Sequence, residues 1–144
     1  MRLIKIGIFW IISIATVFSF YAVHAQTATK MVKKTVKLSS GQQVLDLRGE
    51  WDCLHESPGM KSYKIVIEIT QEGKTFMGIR LQETPWWPKG TEAIKGELQG
   101  DGFKTVSINR GDLGWTPCKW EISENGNKIL LNDEGVVKLT LTRR

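Results

Sequence analysis

The sequence predicts an all-β protein, an eight-stranded up-and-down antiparallel β-barrel that follows an N-terminal leader and a short basic arm. Three observations lead to this prediction. Short runs with a period of two residues fill the chain from residue 45 onward, and no helical periodicity interrupts them. Tight glycine-bearing turns alternate with longer loops between these runs. Eight short strands joined in sequence can close into a barrel, which leaves no long unpaired sheet edge.

Residues 1–25 have the organisation of a secretory signal peptide. Arg2 and Lys5 precede an uncharged apolar run over residues 6–23, and small residues at positions 23 and 25 suit a signal peptidase. We therefore expect cleavage after Ala25 and an exported protein, periplasmic or extracellular. The alternative is an uncleaved membrane anchor, because the length of the apolar run is near the minimum for a spanning helix.

Residues 26–44 form a basic arm rich in Thr, Lys and Ser, with four lysines and no acidic residue. The formal net charge of +5 belongs to the leader and this arm, since the rest of the chain carries 14 basic and 15 acidic residues. We interpret the arm as a flexible, solvated terminus. We expect no nucleic-acid partner and, after signal cleavage, no membrane partner.

The barrel domain is predicted over residues 45–144. Its first strand, residues 45–53, reads LDLRGEWDC, in which charged residues alternate with Leu45, Leu47, Gly49, Trp51 and Cys53. The other seven strands are predicted at 61–70, 75–81, 92–98, 103–109, 116–123, 128–132 and 136–143. Glycines inside these strands suit the bends that a small barrel needs.

The connections differ between the two ends of the predicted barrel. The turns QEGK, QGDG and ENGN after strands two, four and six are tight. The opposite end carries the longer loops 54–60, 82–91 and 110–115. Binding residues are more often found on such loops, so we place the candidate site there.

The chain resembles the calycin superfamily, which includes the lipocalins, fatty-acid-binding proteins and avidins. Members carry a G-x-W motif on the first strand and an arginine near the end of the last strand, which packs across that tryptophan. The matching residues here are Gly49-Glu50-Trp51 and Arg143, with Arg144 as the other candidate. The segment QEGKTFMG also looks like the second hairpin of avidins. The resemblance implies a structural role for Gly49, Trp51 and Arg143, which would close one end of the barrel.

The two cysteines, Cys53 and Cys118, are predicted to form a disulfide. In an oxidising compartment this pairing is favoured, because neither residue lies in a C-x-x-C motif. After signal cleavage only His55 remains as a nitrogen ligand that could join them, so we predict no metal site and no cofactor.

Trp86 and Trp87, in the loop sequence TPWWPKG, give the sharpest functional signal. Together with Trp115 they could form an aromatic platform for a ligand, with His55 or Arg110 fixing its polar head. The alternative is that the tryptophans fold over the barrel mouth as a lid or core plug.

These residues predict an exported, non-enzymatic binding protein for a small apolar or amphipathic molecule. The main alternative is a protein-binding module, such as an inhibitor of a secreted hydrolase acting through the N-terminal arm and the tryptophan-rich loops. It would resemble the small periplasmic β-barrel inhibitors of bacterial metalloproteases. A third possibility is a barrel enzyme that uses His55 with Glu56 or Asp112. Because the sequence contains no nucleophile elbow, phosphate loop or HExxH motif, we assign no catalytic residue.

Overall fold

A computed structural model describes residues 33–144 of the chain. The predicted signal peptide, 1–25, and residues 26–32 of the predicted arm lie outside the described residues. The regular structure consists of a 3₁₀ turn, Gly111–Leu113, and eleven β-strands: β1 (Thr35–Lys37), β2 (Gln43–Leu45), β3 (Gly49–Glu56), β4 (Tyr63–Glu72), β5 (Thr75–Arg80), β6 (Glu92–Gln99), β7 (Gly102–Asn109), β8 (Trp115–Pro117), β9 (Lys119–Ile122), β10 (Lys128–Asn132) and β11 (Lys138–Arg143).

Strands β3 to β11 form one antiparallel sheet in the order β8-β7-β6-β5-β4-β3-β11-β10-β9. The two edge strands, β8 and β9, follow each other along the chain and are separated by Cys118 alone. The sheet therefore curls until its edges nearly meet. The prediction of an all-β antiparallel barrel is confirmed in this form, a nearly closed barrel compatible with a calycin-like fold.

The sheet has nine strands where eight were predicted, because the sixth predicted strand, 116–123, is divided at Cys118. Before the division β8 pairs with β7, and after it β9 pairs with β10. Pro117 has no N–H to continue the first ladder. The amide of Cys118 still donates to the carbonyl of Val106 at 3.0 Å. The stretch 115–122 thus changes its pairing partner from β7 to β10 at Cys118 and connects the two edges of the sheet.

The predicted first strand, 45–53, is shared between two elements. Leu45 ends β2, which pairs with β1 in a separate two-stranded sheet, and β3 begins only at Gly49. Gly49 has a φ of 115°, a backbone conformation that glycine adopts readily and other residues avoid. The chain therefore turns sharply between the small hairpin and the barrel.

The β1–β2 hairpin lies against the end of the barrel that carries the short turns. The amide of Leu45 donates to the carbonyl of Gly100 at 3.0 Å, and the side chain of Gln71 bonds both Leu47 and Leu45. Leu45 and Leu47 are fully buried. We call this end the sealed pole: the hairpin, residues 45–51, and the turns at 72–75, 99–102 and 123–127.

Trp51 and Arg143 meet at the sealed pole. The two residues are register partners in β3 and β11, and the guanidinium carbon of Arg143 lies 4.3 Å from the centre of the fully buried indole. Arg143 donates to the carbonyls of Arg48 at 3.1 Å and Asp46 at 2.6 Å. The indole N–H of Trp51 donates to the carbonyl of Leu47 at 2.8 Å. These bonds fasten the segment before β3 onto the floor of the barrel.

The seam between β7 and β9 is closed by a side chain. In the described part of the chain, residues 102–105 of β7 have ladder partners only in β6, and β9 pairs only with β10. Trp120 covers this gap, with its ring edge-on to Phe103 and over Gly102, where a Cβ atom would lie 2.6 Å from the indole. Gly102 is therefore required for the tryptophan to lie this close.

The predicted disulfide is wrong, because Cys53 and Cys118 are both free thiols. Cys53 belongs to β3 and Cys118 precedes β9, and two strands, β11 and β10, lie between them. Three strand spacings of about 4.8 Å each exceed the separation of about 7 Å that a disulfide tolerates between Cα atoms. Cys53 is buried in the core and Cys118 is partly buried against it, but the two lie on well-separated parts of the barrel wall.

Candidate functional site

Four connections make up the end opposite the sealed pole: residues 57–62, 81–91, 110–114 and 133–137. We call this end the loop pole. Its longest connection carries Trp86 and Trp87, whose backbone is held by a tight turn. Thr84 and Trp87 exchange two backbone hydrogen bonds, and the Thr84 hydroxyl accepts the amide of Trp87 at 3.0 Å. The backbone that presents the two indoles is therefore fixed from within the loop.

A cavity of about 160 Å³ opens at the loop pole. Four of the five predicted ligand-binding residues line it: His55, Trp86, Trp87 and Arg110. Its other walls come from Ser57, Met60, Tyr63, Ile108, Asn109 and Val137. Residues from all four connections and from three strands thus converge on one concave surface, which is the arrangement expected of a small-molecule site.

Trp115, the fifth predicted ligand residue, lies elsewhere. It opens β8, and the ammonium of Lys95 lies 4.1 Å from the centre of its ring. Its strand neighbour Thr116 is paired with the buried Ile108, so Trp115 falls on the opposite, outer face of the sheet. The structure therefore brings two of the three tryptophans together, and the third stacks under a lysine outside the barrel.

One wall of the cavity is a row of aromatic rings. The rings of His55 and Tyr63 are stacked with centres 4.6 Å apart, and Tyr63 meets Trp86 at 5.5 Å. Trp86 ends the row and is 56% exposed. A flat apolar molecule entering the cavity would contact this row along its length.

The surroundings of His55 favour its neutral form by lowering its pKa. Burial lowers its pKa first, and the nearby Arg80 cation lowers it further, against the opposing effect of Asp133. Glu56, its neighbour in sequence, points the other way and lies 3.7 Å from Lys138 in a surface ion pair. The alternation of the strand therefore separates His55 from Glu56, one of the two carboxylates that the enzyme hypothesis would pair with it.

Arg110 is already paired with a buried carboxylate. Its guanidinium donates to Asp133 at 3.1 Å, and the side chain of Asp133 is fully buried. Asp133 also accepts the backbone amide of Val137. Because its charge is neutralised inside the protein, Arg110 is a poorer candidate for an anionic ligand than its position alone would indicate.

Arg80 is a functional candidate that was not identified from the sequence. It ends β5 and is only 3% exposed, on the same strand face as Phe76 and Gly78. It donates to the carbonyl of Glu92 and to the hydroxyl of Thr91, and Trp87 covers its guanidinium at 4.0 Å. The alternation in TFMGIR carries a signal for this, because a strand whose apolar residues face inward at 76 and 78 also turns residue 80 inward.

A larger groove of about 380 Å³ lies beside the cavity and shares Ser57 and Met60 with it. It runs between the loop at 57–62 and the turn at 133–137 and carries the Glu56–Lys138 ion pair at its edge. It contains no aromatic ring and no buried cation. We therefore place the candidate site in the smaller cavity.

Each of the four connections at the loop pole exposes one large apolar side chain to solvent. These residues are Met60, Trp86, Leu113 and Val136. In the described part of the chain the only other exposed residue of this kind is Trp120 at the seam. The rim around the cavity is therefore more apolar than the rest of the outer surface.

Within residues 33–144 no three potential ligands among His, Cys, Asp and Glu lie close enough to hold a metal ion. The same residues include no helix with the length and apolarity required to span a membrane.

Comparison with known proteins gives no match to a family model, to a curated protein or to a solved structure.

Proposed function

We propose that this protein is an exported, non-enzymatic binding protein of calycin type, which takes up a small amphipathic molecule at the loop pole. The observation that carries the proposal is the cavity itself, because four residues predicted as ligand contacts line one concave surface. An aromatic row supplies the apolar wall, and burying ligand surface there contributes about 25 cal/mol per Å². Export rests on the leader sequence at 1–25.

The proposal is tested by calorimetric titration of the mature protein with a panel of small lipids, pigments and sugars. Trp86→Ala should weaken binding of any ligand found by about tenfold or more, because it removes part of the aromatic row. Trp115→Ala is the matched control, since that tryptophan lies on the outer face and should leave the affinity unchanged. Absence of binding across the panel, or equal losses in the two variants, would contradict the proposal.

Export is tested separately by mass spectrometry of the protein recovered from the envelope or medium of a secreting host. Cleavage after Ala25 should give a chain that begins at Gln26. Recovery of the intact chain in the membrane fraction would instead support the uncleaved anchor.

A protein-binding role is the second candidate, and the apolar rim favours it. Met60, Trp86, Leu113 and Val136 each lie on one of the four connections of the loop pole and are exposed. The part of the predicted arm that the structure describes lies at the sealed pole, where Lys33 pairs with Asp101 at 3.0 Å, and so is at the far end of the barrel from this rim. A single partner would therefore use the rim without that part of the arm.

The rim can be tested without removing any cavity-lining residue. Leu113→Ser together with Val136→Ser should abolish binding to a purified secreted hydrolase while leaving small-molecule binding intact. Unchanged binding of the hydrolase in this double variant would contradict a rim interface.

A further inference from the structure

Arg80 is a buried cation without a counter-ion. In the described part of the chain no carboxylate forms an ion pair with it. The titratable groups that interact with it are Tyr63, Cys53 and His55, and none of these supplies a negative charge at neutral pH. Its Nε donates to no acceptor and is shielded from solvent. Burial accordingly lowers its pKa. A buried charge of this kind is costly unless it is paired, so the site is electrostatically incomplete as it stands.

The present contacts offset only part of that cost. The indole of Trp87 lies 4.0 Å from the guanidinium carbon, and a cation–π contact is a weak substitute for an anion. The Glu92 carbonyl and the Thr91 hydroxyl each accept one hydrogen bond from the same terminal nitrogen. A planar guanidinium offers five donors in a fork that matches a carboxylate, so most of this capacity remains available.

The cavity and this guanidinium share two neighbouring residues. Trp87 both lines the cavity and covers Arg80, and Asn109 lines the cavity while donating to the same Glu92 carbonyl that Arg80 contacts. A volume of about 160 Å³ is close to that of cavities that hold one benzene molecule. The site therefore combines room for a single ring with one unpaired positive charge behind an indole.

We infer that the ligand of this site is a small monocyclic aromatic carboxylate, whose ring lies along Tyr63 and Trp86 and whose carboxylate replaces Trp87 on the guanidinium of Arg80. This inference rests on the proposed function and names the chemical class of its ligand. The indole must turn away from Arg80 when the carboxylate binds, while the Thr84–Trp87 turn keeps the loop backbone in place. Arg110 does not bind the carboxylate, because Asp133 already neutralises its charge.

Calorimetric titration of the mature protein with phenylacetate and with its neutral isostere phenylacetamide tests the charge preference. Phenylacetate should bind at least about tenfold more tightly, since only the acid gains a charge-assisted bidentate pair. Arg80→Met should abolish this ratio by weakening the acid and sparing the amide, whereas Arg80→Lys should retain part of it. Arg144→Met, which removes a surface arginine paired with Glu50, is the matched control and should change neither affinity.

The outcomes separate the two proposals. Equal binding of acid and amide to the wild-type protein overturns the anionic ligand and leaves a binding protein for neutral molecules. Persistence of the preference in Arg80→Met also overturns it, since another group would then hold the carboxylate. Failure of both probes and of the wider panel overturns the proposed function itself. Circular dichroism and the Tm of each variant establish that it is folded, and Arg80→Met should melt no lower than the wild type.

Discussion

The barrel contains the same pair of residues at both poles, an arginine over the face of a tryptophan. At the sealed pole Arg143 lies 4.3 Å from the centre of the Trp51 ring, and at the loop pole Arg80 lies 4.0 Å from that of Trp87. In both arginines the Nε is buried without an acceptor. The pairs differ in what surrounds them.

Arg143 is tied to two backbone carbonyls that belong to another segment, and the nearby Asp46 carboxylate opposes the lowering of its pKa by burial. Its tryptophan is fully buried. Arg80 has no such acid, and its tryptophan is half-buried on a loop. The same contact therefore fastens the fold at one pole and leaves a cation available for a ligand at the other. The bonding partners of the arginine and the burial of the tryptophan decide which role the pair has.

The largest difference in stability is expected between the alanine variants of the two tryptophans. Trp51→Ala should lower the free energy of unfolding by about 3–5 kcal/mol, because it removes a fully buried indole and its bond to Leu47. Trp87→Ala should cost about 1 kcal/mol or less, as expected of a half-exposed loop residue. Urea unfolding followed by circular dichroism gives both values. Similar losses for the two variants would remove the distinction between the poles.

The second largest difference in stability is expected between the methionine variants of the two arginines. Arg143→Met is expected to destabilise the protein by about 1–3 kcal/mol, since two carbonyls at the sealed pole lose their donor. Arg80→Met should be neutral or stabilising, because it removes an uncompensated buried charge. Thermal unfolding of the two variants measures the contrast. A clear loss of stability in Arg80→Met would show that Arg80 is a structural residue like Arg143.

Acid should weaken the sealed pole through Asp46. Hydrogen bonds from the Arg48 side chain hold the pKa of Asp46 well below its ordinary value, so the folded protein keeps this carboxylate ionised where the unfolded chain takes up a proton. Its contribution to stability is complete above about pH 4 and decreases as the pH falls below that value. Asp46→Asn should flatten this part of a pH titration of the urea midpoint. An unaltered slope would exclude Asp46 as the responsible group.

The loop pole should respond to acid earlier, through His55. Burial and the Arg80 cation lower its pKa, so below about pH 6.5 the unfolded chain binds a proton that the folded protein excludes. Stability should therefore fall modestly as the pH falls from about 6.5 towards 5. His55→Gln should remove this decrease and leave the Asp46 response unchanged. NMR titration of the His55 ring, which should show a pKa below the ordinary value, checks the cause.

The smallest effect is expected in the chemical labelling of the cysteines. The labelling rate of the native protein measures how far solvent reaches into the barrel from the loop pole. Burial raises the pKa of Cys53 to about 12 and that of Cys118 to about 11, so neither forms a thiolate readily at neutral pH. Iodoacetamide should label the native protein very slowly at both positions and rapidly in urea. Fast labelling of native Cys53 would mean that the cavity extends further down the barrel than the structure shows.

The sequence predicts well those elements that depend only on local residue patterns. The hairpins β4–β5, β6–β7 and β10–β11 occur where alternating residues and short turns place them. The division at Cys118 was not predicted, because it depends on which strands become neighbours when the sheet closes. The disulfide prediction failed for the same reason, since strand parity gives the face of a residue but not its distance across the barrel.

Prediction of the candidate site from the sequence was limited in the same way. Loop position predicted five ligand residues, of which His55, Trp86, Trp87 and Arg110 line one cavity and Trp115 lies on the outer face. It could not show that a buried aspartate neutralises Arg110, since Asp133 lies 23 residues away on another turn. Arg80 was visible in the alternation of its strand, but its lack of a counter-ion is a property of the folded surroundings.

The seam at Trp120 makes one side of the barrel different from the rest. On the loop-pole side of Cys118 a backbone ladder joins β7 to β8, whereas on the other side β7 and β9 are bridged by one indole that remains 41% exposed. Side-chain contacts break more easily than a cooperative ladder of amide bonds. Thermal fluctuations should therefore separate β7 from β9 first, between residues 102–105 and 119–122. Opening of the barrel would begin at this seam rather than at the loop pole.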